Sequence, residues 1–287
     1  MDYETADGSQ FSLREIWTPS EEPEENEEEE SEEDTTSNTS SSSTPTFECT
    51  LITAFVDGRA YAGKSPQRIS QMDDVDVIQY LEPVPDTNIF PLMPPDFTRA
   101  PAFSMSDHYL KAPQFTYSDT RPGTTFVADQ LRSEAAILEL LSKHPHPSIV
   151  EYYGCVLQEN SQRITHLCLK RCYCNLAEYA SVGLSDDEKD SLLEQIQSGL
   201  KHLHSLGLAH NDINPGNVCV DASGNAKIVD FDSCAPFGKR LGKGVGCVRD
   251  ANGRPVSDKK NDYEGFKDVV EFLRKERKRV SACYPQD

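Results

Sequence analysis

One polar stretch constrains this chain more than any other: His210-Asn-Asp-Ile-Asn-Pro-Gly-Asn217, followed thirteen residues later by Asp230-Phe-Asp232. Between them lie two short apolar runs, Val218–Val220 and Ala226–Val229, separated by the turn-forming sequence Asp221–Asn225, which reads as a strand hairpin. Upstream, Ser185-Asp-Asp-Glu188 has the form of a capping box, and Leu192, Ile196, Leu200 and Leu203 recur behind it at helical spacing. Gly207 supplies the stop. A helix, a tight polar loop, a hairpin and a second acidic loop therefore bring Asp212, Asn217 and Asp230 together. Such a set suits phosphoryl transfer, in which one carboxylate orients a hydroxyl and other oxygens hold Mg²⁺ against phosphates.

From about residue 129, Leu131, Glu134, Leu138 and Leu141 fall on one helical stripe, with Ile137 beside it. A carboxylate on an apolar stripe is costly unless paired. The expected partner is Lys111, in the strand-like run Tyr109-Leu-Lys111. Closer to the N-terminus, Leu51–Val56, Asp57-Gly58 and Arg59–Tyr61 read as a hairpin about a type I′ turn. Asp76–Tyr80 is expected to be a further strand, and residues 82–103, with six prolines, to be extended or looped. A last helix, roughly 261–279, should bury Phe266, Val269, Val270 and Leu273. Its basic end, Arg274-Lys-Glu-Arg-Lys-Arg279, reads as a solvated terminus complementing the helix dipole, with nuclear targeting as the alternative.

Taken in order, HNDINPGN (210–217), VDFDSC (229–234) and HPHPSIVEYYG (144–154) resemble segments of the protein-kinase superfamily, and within it a divergent set of kinase-like proteins of filamentous fungi. The resemblance covers about residues 80–275. It implies an α+β, two-lobed protein-kinase-like fold with a small β-rich N-lobe and a shortened, mainly helical C-lobe. It also implies ATP and Mg²⁺ as cofactors and a protein substrate phosphorylated on a Ser or Thr hydroxyl. Asp212 would position that hydroxyl, Asn217 and Asp230 would hold Mg²⁺, and Lys111 with Glu134 would orient the α- and β-phosphates. His166-Leu-Cys-Leu-Lys-Arg-Cys172 resembles the strand entering the adenine hinge, with Leu169 as gatekeeper and backbone groups of Lys170 and Cys172 facing the base. Asn261-Asp262 resembles the start of the helix whose Asp braces the catalytic loop.

The pattern is also broken in several places. No glycine occurs between Gly63 and Gly123, so no glycine-rich loop precedes Lys111. Asp232 stands where most kinases have glycine, Asn211 replaces an Arg, and Asn214 replaces a Lys. No Ala-Pro-Glu anchor follows, and the three helices that usually close the C-lobe are not found after the last one. Ser233 and Ser257 are the only hydroxyl residues between 233 and 260, so activation by loop phosphorylation is not expected. Two alternatives stay open. One is a pseudokinase that binds without turnover. The other is a small-molecule phosphotransferase of the choline or aminoglycoside type, whose catalytic loop Asp-Ile-Asn-Pro-Gly-Asn also resembles.

Charge is unevenly placed. Residues 1–46 hold fifteen Asp/Glu against one Arg, within a chain of net charge −20. Residues 18–45 are almost without apolar side chains and are expected to be disordered. The expected organisation is a disordered acidic tail at 1–46, a β-hairpin and Pro-rich extension at 47–100, and a kinase-like domain at 101–280. Ser31, followed by Glu32-Glu33-Asp34, would suit an acid-directed kinase. The charge balance excludes a basic nucleic-acid footprint and disfavours anionic membranes. No signal pattern and no 18-residue apolar run is present, and nine scattered cysteines suggest a reducing, intracellular setting, cytoplasm and/or nucleus. Cys168, Cys172 and Cys174 fit no common zinc spacing and read as core or hinge thiols. Gly58-Arg-Ala-Tyr-Ala-Gly-Lys-Ser65 formally satisfies a phosphate-loop pattern, but Pro66 follows at once and the turn reading takes precedence.

Overall fold

The computed structural model describes residues 1–5, 9–18, 45–159, 161–181, 183–242 and 248–283. They form two compact units, residues 1–89 with 115–125, and residues 90–114 with 126–287. The division is interleaved, unlike the expected run of segments 1–46, 47–100 and 101–280.

The first unit is built on an antiparallel sheet of β1 (Asp2–Glu4), β2 (Gln10–Thr18), β3 (Thr46–Val56), β4 (Arg59–Ser65) and β5 (Glu82–Pro83), in that order. Its register sets Phe11 opposite Ala54 and Leu13 opposite Ile52. Successive side chains alternate faces, so these four share one face. Helix α1 (Asp74–Gln79) adds Val77 to the same cluster. The β3–β4 turn has Asp57 at φ 49° and Gly58 at φ 71°, the two positive values a type I′ turn needs. A short helix α2 (Asp86–Ile89) follows β5. At Gly63 a Cβ would run into the carbonyl oxygen of Tyr80, so only glycine permits that approach. The phosphate-loop pattern thus lies in a turn and a strand.

Three expectations are corrected here. Residues 76–80 belong to a helical turn, because Asp73 Oδ1 accepts from the Asp76 amide at 2.8 Å and caps it. With Val77 buried and Ile78 60 % exposed, six residues are too few for period 2 and period 3.6 to separate. The Pro-rich stretch contains α2, since a proline at position 85 presets the first turn of a helix. The acidic tail does not extend over 1–46. Residues 2–4 and 10–18 are strands, and the pairs Trp17–Phe47 and Thr18–Thr46 make the acidic run a hairpin connection. Averaging charge over 46 residues hid the Phe11/Leu13 alternation. Residues 19–44, including Ser31, lie outside the described residues.

The second unit carries the site. Strands β6 (His108–Lys111), β7 (Tyr152–Leu157) and β8 (Ile164–Lys170) form a sheet of order β6-β8-β7, with α3 (Phe126–Lys143) between β6 and β7 in sequence. After β8 come β9 (Cys174–Asn175), α4 (Leu176–Ala180), α5 (Asp186–Ser205) and β10 (Leu208–Ala209). Then follow β11 (Val218–Val220), β12 (Ala226–Ile228), β13 (Ala235–Pro236) and α6 (Lys259–Cys283). Strands β12-β11-β9 and the pair β10-β13 complete the sheets. Ser185 and Glu188 make the expected reciprocal cap of α5, and Leu192, Ile196, Leu200 and Leu203 are buried in the main core. Val269 and Leu273 of α6 join the same core, with Phe266 packed against it. The segment before β6 lies along β7: Cys155 N donates to Thr98 O at 2.8 Å, and Ala100 N to Cys155 O at 2.9 Å.

Candidate active site

The polar loop after β10 is held from below by one buried carboxylate. Asp262, in the first turn of α6 and fully buried, accepts from the amides of His210 (3.0 Å) and Asn211 (2.7 Å) and from His204 Nε2 (2.8 Å). This is the bracing role that the resemblance implied. Asn211 sits at φ 67°, a conformation asparagine tolerates. Its Nδ2 donates to Ala209 O, Ser233 O and Ser257 Oγ at 2.9–3.0 Å, and its Oδ1 accepts from Asn261 Nδ2 at 2.9 Å. A neutral amide thereby ties the loop to the 233–261 segment where an Arg would stand. His210 Nε2 donates to Val229 O at 2.9 Å, linking the loop to the residue before Asp230.

Asp212 is exposed, and Asn217 Nδ2 donates to both its backbone oxygen and its Oδ2 at 2.8 Å. With its nitrogen engaged there, Asn217 has Oδ1 left to meet a cation. Asn214 shapes the turn between them: its Oδ1 accepts from the amides of Gly216 (2.8 Å) and Asn217 (3.2 Å). The Asn217 carbonyl accepts from Val229 N at 3.0 Å, which sets Asn217 across from the start of the acidic loop.

In that loop Asp230 adopts φ 61°, a left-handed conformation that is uncommon outside glycine. Lys111 Nζ lies 2.6 Å from Glu134 Oε1 and 2.6 Å from Asp230 Oδ1. Glu134 is only 4 % exposed, and its Oε1 also accepts from the Phe231 amide at 3.1 Å. The stripe position of Glu134 thus has the basic partner that burial demands. Burial alone would depress the Lys111 pKa, but the two carboxylates outweigh it and hold the ammonium charged. Burial likewise pushes the Asp230 carboxyl up, and the Lys111 charge and hydrogen bond bring it below its usual value. For Glu134 burial dominates and raises the pKa, opposed by Lys111.

A cavity of about 70 Å³ opens here, lined among others by Lys111, Gln130, Glu134, Asp230 and Asp232. Gln130 was not singled out from the sequence, although it stands one turn before Glu134 on the same helix. Its Nε2 donates to Asp232 Oδ2 at 2.8 Å.

The expected base-binding residues sit on β8 and in the connection that follows it. Leu169 is buried on β8 opposite Tyr109 and Tyr152, and Lys170 donates its amide to Glu151 O at 2.9 Å. Cys172 is half-buried in the connection to β9. None of the three lines the cavity at Lys111. Among the described residues, β6 pairs only with β8. Nor do those residues group three or more His, Cys, Asp or Glu so as to hold a metal unaided. A hard cation held by Asp230 and Asn217 would need further oxygens from phosphates or water, which is how Mg²⁺ usually binds.

Residues 116–248 match the family model for the protein kinase domain. The chain is 35 % identical over 102 residues to the serine/threonine-protein kinase dst4 of Dictyostelium discoideum, a match covering 35 % of this chain and 21 % of that protein. It is 34 % identical over 101 residues to the serine/threonine-protein kinase Tao of Drosophila melanogaster, covering 34 % and 9 %. It is also 39 % identical over 103 residues to the mitogen-activated protein kinase kinase kinase 1a of Physcomitrium patens, covering 36 % and 13 %. The chain therefore spans about a fifth or less of the length of these relatives. The family match begins after Lys111 and stops before α6, so Lys111 and Asp262 lie outside it.

Proposed function

We propose that the protein-kinase-like domain of this chain transfers the γ-phosphoryl group of Mg·ATP to a Ser or Thr hydroxyl of a protein. The observation that carries this reading is the double ion pair of Lys111, 2.6 Å from both Glu134 and Asp230. A lysine fixed between a helix and an acidic loop is a preset cation for nucleotide phosphates. Asp230 and Asn217 Oδ1 are the oxygens assigned to the metal. When bound, Mg²⁺ neutralises charge that develops on the transferring phosphates. Asp212, exposed and steadied by Asn217, is assigned to orient the acceptor hydroxyl and accept its proton.

Serine/threonine kinases among the similar proteins support a protein acceptor. The HNDINPGN and VDFDSC segments support placement beside the divergent fungal kinase-like proteins. Free thiols and a need for Mg·ATP support an intracellular setting. Among the described residues, no helix is long and apolar enough to cross a membrane.

A second reading, nucleotide binding without turnover, is favoured by the outer edge of β6, which pairs with no strand among the described residues. Nucleotide binding with and without Mg²⁺, followed by autophosphorylation and casein phosphorylation, separates the two, with Asp212→Asn as control. Transfer by the wild type and not by Asp212→Asn supports the kinase reading. Mg²⁺-dependent binding without transfer supports the second, and no nucleotide binding would sink both.

A further inference from the structure

Asp232 stands where most kinases have glycine, and the transfer reading gives it no part. Both of its carboxylate oxygens are nevertheless engaged. Ser233 Oγ donates to Oδ1 at 2.9 Å, and Gln130 Nε2 donates to Oδ2 at 2.8 Å. Gln130 precedes Glu134 by four residues, so the two project from one face of α3 on successive turns. That face grips the acidic loop twice: Gln130 holds Asp232, and Glu134 holds Lys111 and the Phe231 amide.

We propose that Gln130 and Asp232 are positioning residues that latch α3 to the acidic loop, so that the Lys111–Glu134 pair is set without phosphorylation of the 233–260 segment. Two anchors about 6 Å apart along a helix fix its rotation as well as its position. One anchor alone would let the helix roll and carry Glu134 away from Lys111. The described residues of that segment agree with a fixed state. Ser257 is buried and donates to Ala235 O at 2.8 Å, while Ser233 is turned onto Asp232. Asn211, uncharged, is bonded to that same segment and offers no cation to a phosphate. The consequence for catalysis rests on the phosphoryl-transfer reading; the latch itself does not.

Amide hydrogen exchange of the full chain over residues 126–134 tests it, with wild type, Gln130→Ala, Asp232→Ala and Asp232→Asn compared. Both alanine variants should exchange about fivefold faster there, the effect of losing one side-chain hydrogen bond at a half-exposed site. Asp232→Asn, whose amide oxygen still accepts from Gln130, should stay close to wild type. The Kd for Mg·ATP should weaken in the same order, again about fivefold. Unchanged exchange in both alanine variants would overturn the latch, and so would Asp232→Asn exchanging as fast as Asp232→Ala. Circular dichroism checks folding. If Asp232→Ala does not fold, Gln130→Ala decides, since its side chain is only half-buried on the helix surface. Wild type that fails to bind Mg·ATP would remove the transfer reading and leave the exchange result standing by itself.

Discussion

Lys111 answers two carboxylates at once, and each would be destabilising without it. Glu134 has almost no access to water and Asp230 is partly sheltered, so removing the ammonium leaves two negative charges facing one another. Lys111→Met should therefore lower unfolding stability by about 3 kcal/mol, the usual scale for breaking a sheltered ion pair from one side. Adding Glu134→Gln should recover much of that loss, because the stranded charge goes with it. Urea titration of the two variants checks both numbers, and equal stability of Lys111→Met and wild type would contradict the geometry.

Asp230→Asn keeps the loop's shape but removes the charge assigned to the metal. It should cut Mg²⁺-dependent transfer about a thousandfold or more, with circular dichroism unchanged. A pH effect comes from His166 on β8, whose pKa burial lowers from 6.5 to about 4. The native state favours the neutral ring. The stability this gives is complete above pH 6.5 and is lost as pH falls towards about 4, amounting to about 2 kcal/mol after allowance for partial exposure. His166→Leu should flatten that part of a stability–pH curve. At this scale the sequence was informative where chemistry and spacing coincide, as for Glu134, while Asp262 was reached only through the family resemblance. It was silent on the bond between Gln130 and Asp232, because a hydrogen bond across 102 residues leaves no local pattern.

Secondary elements became readable in proportion to their length. Helices α3 and α5 run 18 and 20 residues, enough turns for an apolar stripe to repeat. Helix α1, at six residues, offers one and a half turns, and only its cap distinguishes it from a strand. Capping at α5 is also a local quantity. Ser185→Ala should reduce stability by about 1 kcal/mol, read as a shift of the urea midpoint with an unchanged slope. The β2–β3 hairpin failed to show for a different reason: its two halves are separated by an acidic run far longer than any turn. Closing so long a connection carries an entropic cost that a two-residue turn avoids. Replacing residues 19–45 by Asn-Gly should raise stability by about 2 kcal/mol.

The chain crosses between the two units three times. The chain leaves the first unit after Ile89, returns to it for residues 115–125, and enters α3 directly from there. That returning stretch has partners in the first unit. Phe115 lies 6.3 Å from Phe55, Lys64 sits over the Tyr117 ring, and Asn88 Nδ2 donates to Arg121 O at 2.9 Å. A fragment of residues 90–287, cut after the first stretch of the first unit, strips all three of their partners. Its melting temperature should fall by roughly 5 °C or more relative to the full chain. The hairpin that encloses the acidic run has a topological consequence as well. Residues 1–18 reach the rest of the molecule covalently only through that run, yet β2 is bonded on both sides, to β1 and β3, and the Met1 ammonium donates to Leu13 O at 2.8 Å. A protein cleaved at a site engineered within 19–44 should therefore elute as one particle under native conditions and as two chains in denaturant. Its N-terminal peptide would behave as a detachable subunit, able to leave, rebind and restore the sheet.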